Sequence, residues 1–162
     1  MIQDIIEKVS EINIFYQFLM IFIIGFIPFL EAHVAVPVGI FLKLPFIPVA
    51  VLGIVANVLS VMIIISLAKL LRAKTLESKG NHSFLNNRFY KARFYFNRYG
   101  VPGLSLMGPI IGANHIGAFV SIVAGASKKQ VLTWQIISIV VWGAGTGILI
   151  FYGIDIYYLF KK

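Results

Sequence analysis

One acidic residue stands inside an apolar stretch of the chain, between two prolines. Glu31 lies in the segment 28–37, two residues before His33 and six before Pro37. A charged side chain in a membrane costs at least about 2.5–3.5 kcal/mol, so it is normally paired, protonated or in contact with water. Burial favours the neutral form of a carboxyl group, and imidazole titrates near neutrality. We predict a proton-coupling and substrate-binding site at Glu31, His33 and Pro37, with a solvated, inert Glu31 at the headgroup level as the alternative.

A second apolar stretch, residues 108–117, is interrupted in a similar way. It contains Pro109, Gly112, Asn114 and His115. A helix that begins inside a membrane exposes backbone N–H groups, which bind anions such as phosphate or carboxylate. We predict that these four residues form the second part of the site. The alternative is that His115 only forms hydrogen bonds within the helix packing.

Other reactive residue types are sparse. The chain has no cysteine, which excludes disulfides, thiolate zinc sites, iron–sulfur clusters and cysteine nucleophiles. Its three histidines, at positions 33, 82 and 115, lack the spacing of metal ligands. No nucleophile can be grouped with a base and an orienting residue. We therefore expect no metal, no cofactor and no enzymatic activity.

The composition indicates where these residues reside. Of 162 residues, 59% are hydrophobic and 12% are charged, with a formal net charge of +8. Soluble domains carry about 45–50% apolar and about 25% charged residues, and disordered chains are poor in large apolar residues. These numbers exclude a soluble globular enzyme and a disordered chain. They predict a small integral membrane protein.

Four charge-poor stretches give the elements, and two of them have anomalous lengths. They cover residues 12–30, 44–68, 99–127 and 130–154. A spanning helix needs about 20 apolar residues, which the second and fourth stretches supply. The first continues into a short apolar piece at 34–42, and the third is too long and is broken by proline and glycine. Since freed backbone in a membrane must be buried or line a wet cavity, we predict two re-entrant helical hairpins, with proline-kinked spanning helices as the alternative.

The two anomalous stretches also repeat in order. A shift of 81 residues places Pro28 on Pro109 and brings His33 within one position of His115. Paired broken segments in two halves indicate a transporter site at the membrane midplane. We predict an all-α integral membrane protein with two inverted repeats, each a re-entrant hairpin followed by a transmembrane helix. The single membrane domain then contains residues 12–71, the loop 72–98 and residues 99–154.

The loop between the repeats is strongly basic. Eight basic residues and one acid lie between Lys69 and Arg98, which predicts a cytoplasmic loop of a multi-pass cell-membrane protein. Its apolar residues follow helical spacing from Leu85 to Tyr99, as in an amphipathic helix that lies in the headgroup plane. A nucleic-acid-binding arm has similar charges, but the neighbouring apolar helices favour lipid over nucleic acid. The residues predicted to bind anionic headgroups are Arg88, Lys91, Arg93 and Arg98.

Small residues in the last apolar stretch suggest close helix packing. Gly143 and Gly147 form a Gly-x-x-x-Gly pair, which is typical of helix–helix interfaces in membranes. We predict a homo-oligomer that uses these two glycines.

Both interrupted segments carry a family resemblance. Residues 31–37, followed by Gly39, resemble the Glu-x-Arg-x-Ala-Ile-Pro motif of the putative small multidrug export proteins, relatives of the DedA membrane proteins. Residues 98–104 and 109–117 resemble that family's second motif. The resemblance implies two inward hairpins, membrane transport and, for DedA relatives, proton-dependent handling of lipid carriers such as undecaprenyl phosphate. Where the family motif has arginine, this chain has His33, whose charge is conditional.

Three functions follow from these patterns. The first is a proton-coupled transporter that exports or translocates a small amphipathic or anionic substrate. The second is a DedA-like flippase or scramblase of polyprenyl phosphate or phospholipid, with the hairpin ends and the basic loop holding the headgroup. The third is a non-transporting membrane protein that assembles with partners through its glycine-rich helices. Broken helices with ionisable residues favour the first two.

Overall fold

Every element in the described part of the chain is an α-helix. The computed structural model describes residues 12–77, 83–111 and 113–160; within these ranges the side chains of 73–93, 95, 111 and 154–160 are not described. The helices are α1 (Ile14–Phe26), α2 (Glu31–Phe41), α3 (Phe46–Glu77), α4 (Ser83–Leu106), α5 (Gly108–Ile111), α6 (Asn114–Ala124) and α7 (Lys128–Phe160).

Two helices are long and apolar enough to cross a membrane. They include the spans Phe46–Arg72 in α3 and Lys128–Gly153 in α7, of 27 and 26 residues. At 1.5 Å per residue each span extends about 40 Å, more than the hydrocarbon core of about 30 Å. Within the described residues, the prediction of an all-helical protein with two long apolar helices is confirmed, and this architecture is consistent with a membrane protein.

The first interrupted stretch folds as two short helices that pack against each other. Helix α1 has 13 residues and α2 has 11, and residues 27–30 form the turn between them. The Asn13 side chain accepts a hydrogen bond from the Phe15 N–H at 2.9 Å and so caps α1. The helices are about 20 Å and 16 Å long, so each is shorter than the hydrocarbon core.

The second interrupted stretch is broken in two places. Gly100 has φ 62° and ψ −176°, so it separates the helical piece 83–99 from a short piece that ends at Leu106. Pro102 follows within the first turn of that piece, where a missing N–H removes no helical hydrogen bond. The chain then makes the single turn of α5 and begins α6, which packs against α4. A helix therefore covers the predicted amphipathic segment and ends one residue after Arg98, at Tyr99.

The helices form two compact units. The first unit contains residues 1–58 and 139–162, and the second contains residues 59–138. In the first unit, α1 and α2 are joined by the beginning of α3 and the later part of α7. In the second unit, α4, α5 and α6 are joined by the later part of α3 and the beginning of α7.

Small residues allow the helices of the first unit to approach closely. A Cβ atom on Gly25 would lie 2.8 Å from the Gly53 carbonyl oxygen, and one on Gly39 would overlap the side chain of Val49. Gly53 itself faces Ala35, whose Cβ is 3.3 Å from the position of the absent Cβ. The core around these contacts is aliphatic, which suits association by close packing.

The Gly-x-x-x-Gly pair packs within the chain. A Cβ on Gly143 would lie 3.1 Å from the Ala32 Cβ, and one on Gly147 would lie 2.6 Å from the Val36 Cγ1. Both glycines are buried, and they bring α7 close to α2 in the first unit. A homo-oligomer stays a prediction, but these two glycines already serve contacts in their own chain.

Candidate functional site

Glu31 begins α2 directly after the turn, in a strained backbone conformation. Its φ is +57°, in the left-handed region, and Phe29 in the turn has φ +75°. Such values are uncommon for residues other than glycine and cost about 1–3 kcal/mol each. The Glu31 side chain is fully buried, with 0% exposure. A strained backbone that places an acid in the interior is a pattern that concentrates at functional sites.

His33 lies close to the carboxyl group, as the sequence predicts. Its Nδ1 is 3.7 Å from Glu31 Oε2, and its side chain is 21% exposed. This separation suits an ion pair when the imidazole is protonated, and it is longer than a hydrogen bond. We call these two residues the Glu31–His33 pair.

Pro37 lies further along the same helix as this pair. It lies inside α2 and has no N–H, so the His33 carbonyl lacks its usual helical donor four residues on. Six residues, or about 9 Å of helix rise, separate Pro37 from Glu31. The structure therefore places Pro37 on the same helix without bringing it into the pair.

Sequence reasoning missed a buried amide in the first unit. Asn57 on α3 is 1% exposed, and neither its Nδ2 nor its Oδ1 has a hydrogen-bond partner among the described residues. The sequence signal that could have identified it is that Asn57 is the single amide side chain in the apolar stretch 44–68.

The second unit contains the other predicted residues at the beginning of α6. Asn114 and His115 are both buried. His115 Nε2 is 2.8 Å from the Ser60 hydroxyl, and Asn114 Oδ1 is 3.1 Å from the Ser138 hydroxyl. Ser138 also donates to the Ser105 carbonyl oxygen at 2.7 Å; its single proton serves one of these acceptors at a time.

The network continues on α7 through a glutamine. Gln135 Nε2 donates to the Ser105 hydroxyl at 3.1 Å, while Gln135 Oε1 has no partner among the described residues. Gly117 makes this arrangement possible, because a Cβ there would overlap the Leu104 carbonyl oxygen. The residues of this second-unit network are Ser60, Ser105, Asn114, His115, Gln135 and Ser138. Four of them escaped sequence reasoning, because isolated serines and glutamines in apolar helices do not reveal which face is buried.

The beginning of α6 also carries backbone donors. Its N-cap residue, Ala113, is extended and provides no side-chain cap, so the predicted anion-binding backbone lies beside Asn114. Gly108 approaches Asn114 closely, since its Cβ would lie 2.8 Å from the Asn114 Oδ1. Pro109 lies in α5, and Gly112 lies outside the described residues.

The predicted headgroup-binding residues lie on α4. Arg98 is exposed, and its guanidinium carbon is 5.5 Å from the centre of the Tyr99 ring, within range of a cation–π interaction. Arg88, Lys91 and Arg93 lie on the same helix, with side chains outside the described part. A further basic residue, Arg72, donates to the Ile122 carbonyl oxygen at 3.4 Å, near the end of α6, where a cation is favoured.

Comparison with known proteins adds one finding. A family model described as "Putative small multi-drug export protein" matches residues 31–144. No curated protein and no solved structure matches the chain. The matched range begins at Glu31 and includes the second-unit network. The relationship to the DedA proteins stays a prediction from the motifs.

Proposed function

We propose that this chain, which belongs to the family of putative small multi-drug export proteins, is a proton-coupled membrane transporter for a small amphipathic or anionic substrate. The family and the two long apolar helices support a membrane transporter in general. The observation that carries the coupling is the fully buried carboxyl of Glu31 beside the His33 imidazole. The proposal involves no covalent step.

The coupling rests on the cost of a buried charge. Protonated Glu31 is neutral and stable away from water, whereas the ionised form is unfavourable there unless a cation is near. A protonated His33 is that cation, at 3.7 Å. Uptake or loss of one proton therefore changes the relative free energies of states in which Glu31 is buried and states in which it meets water. Such a difference shifts a conformational equilibrium.

The substrate is proposed to bind at the beginning of α6. The backbone N–H groups beside Ala113 offer hydrogen bonds to a carboxylate or phosphate. Asn114 and His115 lie next to them and already bond the Ser138 and Ser60 hydroxyls, so the substrate would exchange for these partners.

Two inverted repeats with re-entrant hairpins remain our proposed architecture. Helices α2 and α6 each have 11 residues, and the long helices that follow them have 32 and 33. We call α1 with α2, and the end of α4 with α6, the two short-helix pairs. The first pair shares its unit with the first part of α3 and the later part of α7. The second pair shares its unit with the first part of α7 and the later part of α3. The same order of parts in the two halves supports this proposal. We further propose a multi-pass protein of the cell membrane whose loop 72–98 is cytoplasmic.

A second candidate function is lipid translocation. The helical piece 83–99 carries four basic residues of the loop, and its exposed Arg98 lies beside Tyr99, a pairing suited to the headgroup region. An anionic lipid held by this helix would be presented near α6, in the same unit. This arrangement favours a polyprenyl phosphate or a phospholipid as substrate.

Proteoliposomes that enclose a pH-sensitive dye test the proposal. The protein is reconstituted, and an amphipathic anionic dye or a phospholipid with a fluorescent headgroup is supplied with and without an imposed proton gradient. We expect movement of the anionic dye to be accompanied by proton movement, which the enclosed pH-sensitive dye reports. Both movements should stop when an uncoupler collapses the proton gradient. Lipid movement without proton movement would favour the flippase, and movement of neither substrate would favour an assembly protein.

A further inference from the structure

Asn57 has a buried amide to which the proposed transport mechanism gives no role. A buried polar group without a partner costs about 1–3 kcal/mol, and such groups are rare enough in folded proteins to require an explanation. Asn57 is 1% exposed, and both polar atoms of its amide lack a partner among the described residues. His33 Nδ1 is also buried and without a hydrogen-bond partner there.

Helix packing places Asn57 level with Glu31. Helices α2 and α3 run antiparallel, with Gly53 on α3 against Ala35 on α2. Asn57 is four residues beyond Gly53, and Glu31 is four residues before Ala35, so each lies one turn from that contact in the same direction. Four residues correspond to about 6 Å of helix rise, so Asn57 and Glu31 lie at a similar height along the two helices. The three polar residues therefore share one level of the first unit.

The distance within the Glu31–His33 pair points to a bridging molecule. At 3.7 Å the two groups form no direct hydrogen bond, so a water that bonds to both can link them. A buried water needs two to four polar partners. The carboxyl, the imidazole and the carboxamide provide three.

We propose that Asn57 holds a water molecule that bridges Glu31 and His33. This inference rests on the proposed proton coupling and names Asn57 as a positioning residue of that site. A carboxamide has both donors and an acceptor, so it can orient the water toward an ionised carboxylate or a protonated carboxyl. The water then links the two titratable groups whichever of them holds the proton.

An effect on pH dependence follows from hydrogen-bond strength. Hydrogen bonds to an ionised group are about twice as strong as those between neutral groups, so the amide and its water interact differently with the two charge states of the pair. Removing the amide in Asn57→Leu should therefore shift the pH midpoint of transport, by about one pH unit.

The other described titratable side chains of the first unit are exposed. Besides the Glu31–His33 pair, they are Tyr16 on α1, Lys43 after α2 and Tyr152 on α7. The described side chains of α3 in this unit include no titratable group. Among the described side chains of this unit, the pair is therefore the buried titratable group that Asn57 can influence.

Infrared difference spectroscopy tests the water directly. Spectra of the full-length protein in liposomes are recorded between low and high pH, in ordinary water and in water labelled with oxygen-18. We expect a water O–H band that shifts with the isotope in wild type and in Asn57→Asp, which keeps polar atoms, and that is lost in Asn57→Leu. Thr146→Val is the matched control, since Thr146 bonds only to carbonyl oxygens of its own helix at 2.7 and 3.3 Å; it should keep the band.

Transport measured on the same variants distinguishes failure of the proposed proton coupling from failure of the proposed role of Asn57. If Glu31→Gln retains pH-dependent transport, the proposed coupling is wrong whatever the spectra show. If Glu31→Gln is inactive while Asn57→Leu keeps the isotope-sensitive band and the wild-type pH midpoint, only the role of Asn57 is overturned. Should Asn57→Leu fold poorly by circular dichroism, loss of the band in Asn57→Ala with a shifted midpoint supports the proposal, and an unchanged band and midpoint reject it.

Discussion

Glu31 combines three features that are each unfavourable for stability. It is an acid in an apolar stretch, it is fully buried, and its backbone lies in the left-handed region. Each feature costs free energy, and a neutral residue would avoid the first two. Retaining them is reasonable if the carboxyl gains and loses a proton during function, because only a titratable group can change the charge of the site.

Neutralising this carboxyl tests the role at the residue scale. We predict that Glu31→Gln reduces proton-coupled transport at least tenfold and removes its dependence on pH between 6 and 8, because glutamine keeps the size of the side chain and fixes it as neutral. The measurement is dye and proton movement in proteoliposomes, with circular dichroism to show that the variant folds. A wild-type pH profile in the variant would contradict the coupling role.

Replacing the neighbouring imidazole tests the pair. Arginine is permanently charged in proteins, and an opposite charge within about 4–6 Å shifts protonation of a carboxyl to lower pH by about 1–3 units. We predict that His33→Arg moves the pH optimum of transport to lower values and strengthens binding of phosphate-bearing lipid. His33→Gln, which is polar and neutral, is the control and should not bring about the downward shift. An unchanged optimum in His33→Arg would mean that the two side chains do not interact.

At the scale of elements, close helix contacts determine where the polar groups lie. Gly117 lets α6 approach the end of α4, and this approach sets the distance between Ser105 on α4 and Gln135 on α7. A similar contact at Gly53 brings α2 close to α3. The polar sites therefore depend on positions that carry no reactive group.

Alanine substitutions at two helical glycines test this dependence. Gly117→Ala places a methyl group on the Leu104 carbonyl oxygen, whereas Gly145 has nothing within 4 Å of its absent Cβ. We predict that Gly117→Ala destabilises the protein by about 1–3 kcal/mol, while Gly145→Ala is neutral or stabilising by up to about 1 kcal/mol. Thermal unfolding in detergent micelles, followed by circular dichroism, compares them. Equal stability of the two variants would show that the α6–α4 contact is not tight.

The sequence predicted the long helices and both interruptions, because apolar length and Pro/Gly content are local properties. It did not predict the break at Gly100, where glycine adopts a left-handed φ beside a proline that fits a helix start. Nor did it identify Asn57 or Gln135. An isolated amide in an apolar run does not reveal which face of the helix is buried, since this depends on the packing of distant segments. Gly143 and Gly147 illustrate the same limit, because their spacing predicts a close contact but not the chain that supplies the partner.

At the scale of the whole molecule, the order of elements carries a testable consequence for topology. If the two short-helix pairs belong to inverted repeats, the connections that follow them lie on opposite sides of the membrane. The first connection contains Lys43 and the second contains Ser127, and both residues are exposed. If the basic loop 72–98 is cytoplasmic, as proposed, and the second short-helix pair returns to the same side, the second connection is cytoplasmic and the first should face outward.

Single cysteines can report these sides cleanly, because the chain has no native cysteine. We predict that a membrane-impermeant maleimide labels Lys43→Cys in intact cells, whereas Ser127→Cys and Asn87→Cys react only after the membrane is permeabilised. Asn87 lies in the basic loop and serves as the reference for the cytoplasmic side. Labelling of Asn87→Cys in intact cells would mean that the protein has the opposite orientation in the membrane. If Lys43→Cys is protected in the same cells, the two connections still lie on opposite sides, as inverted repeats require. Equal labelling of Lys43→Cys and Ser127→Cys would contradict inverted repeats, since both short-helix pairs would then return to the same side of the membrane. The shared order of elements in the two halves would in that case reflect only similar local sequence.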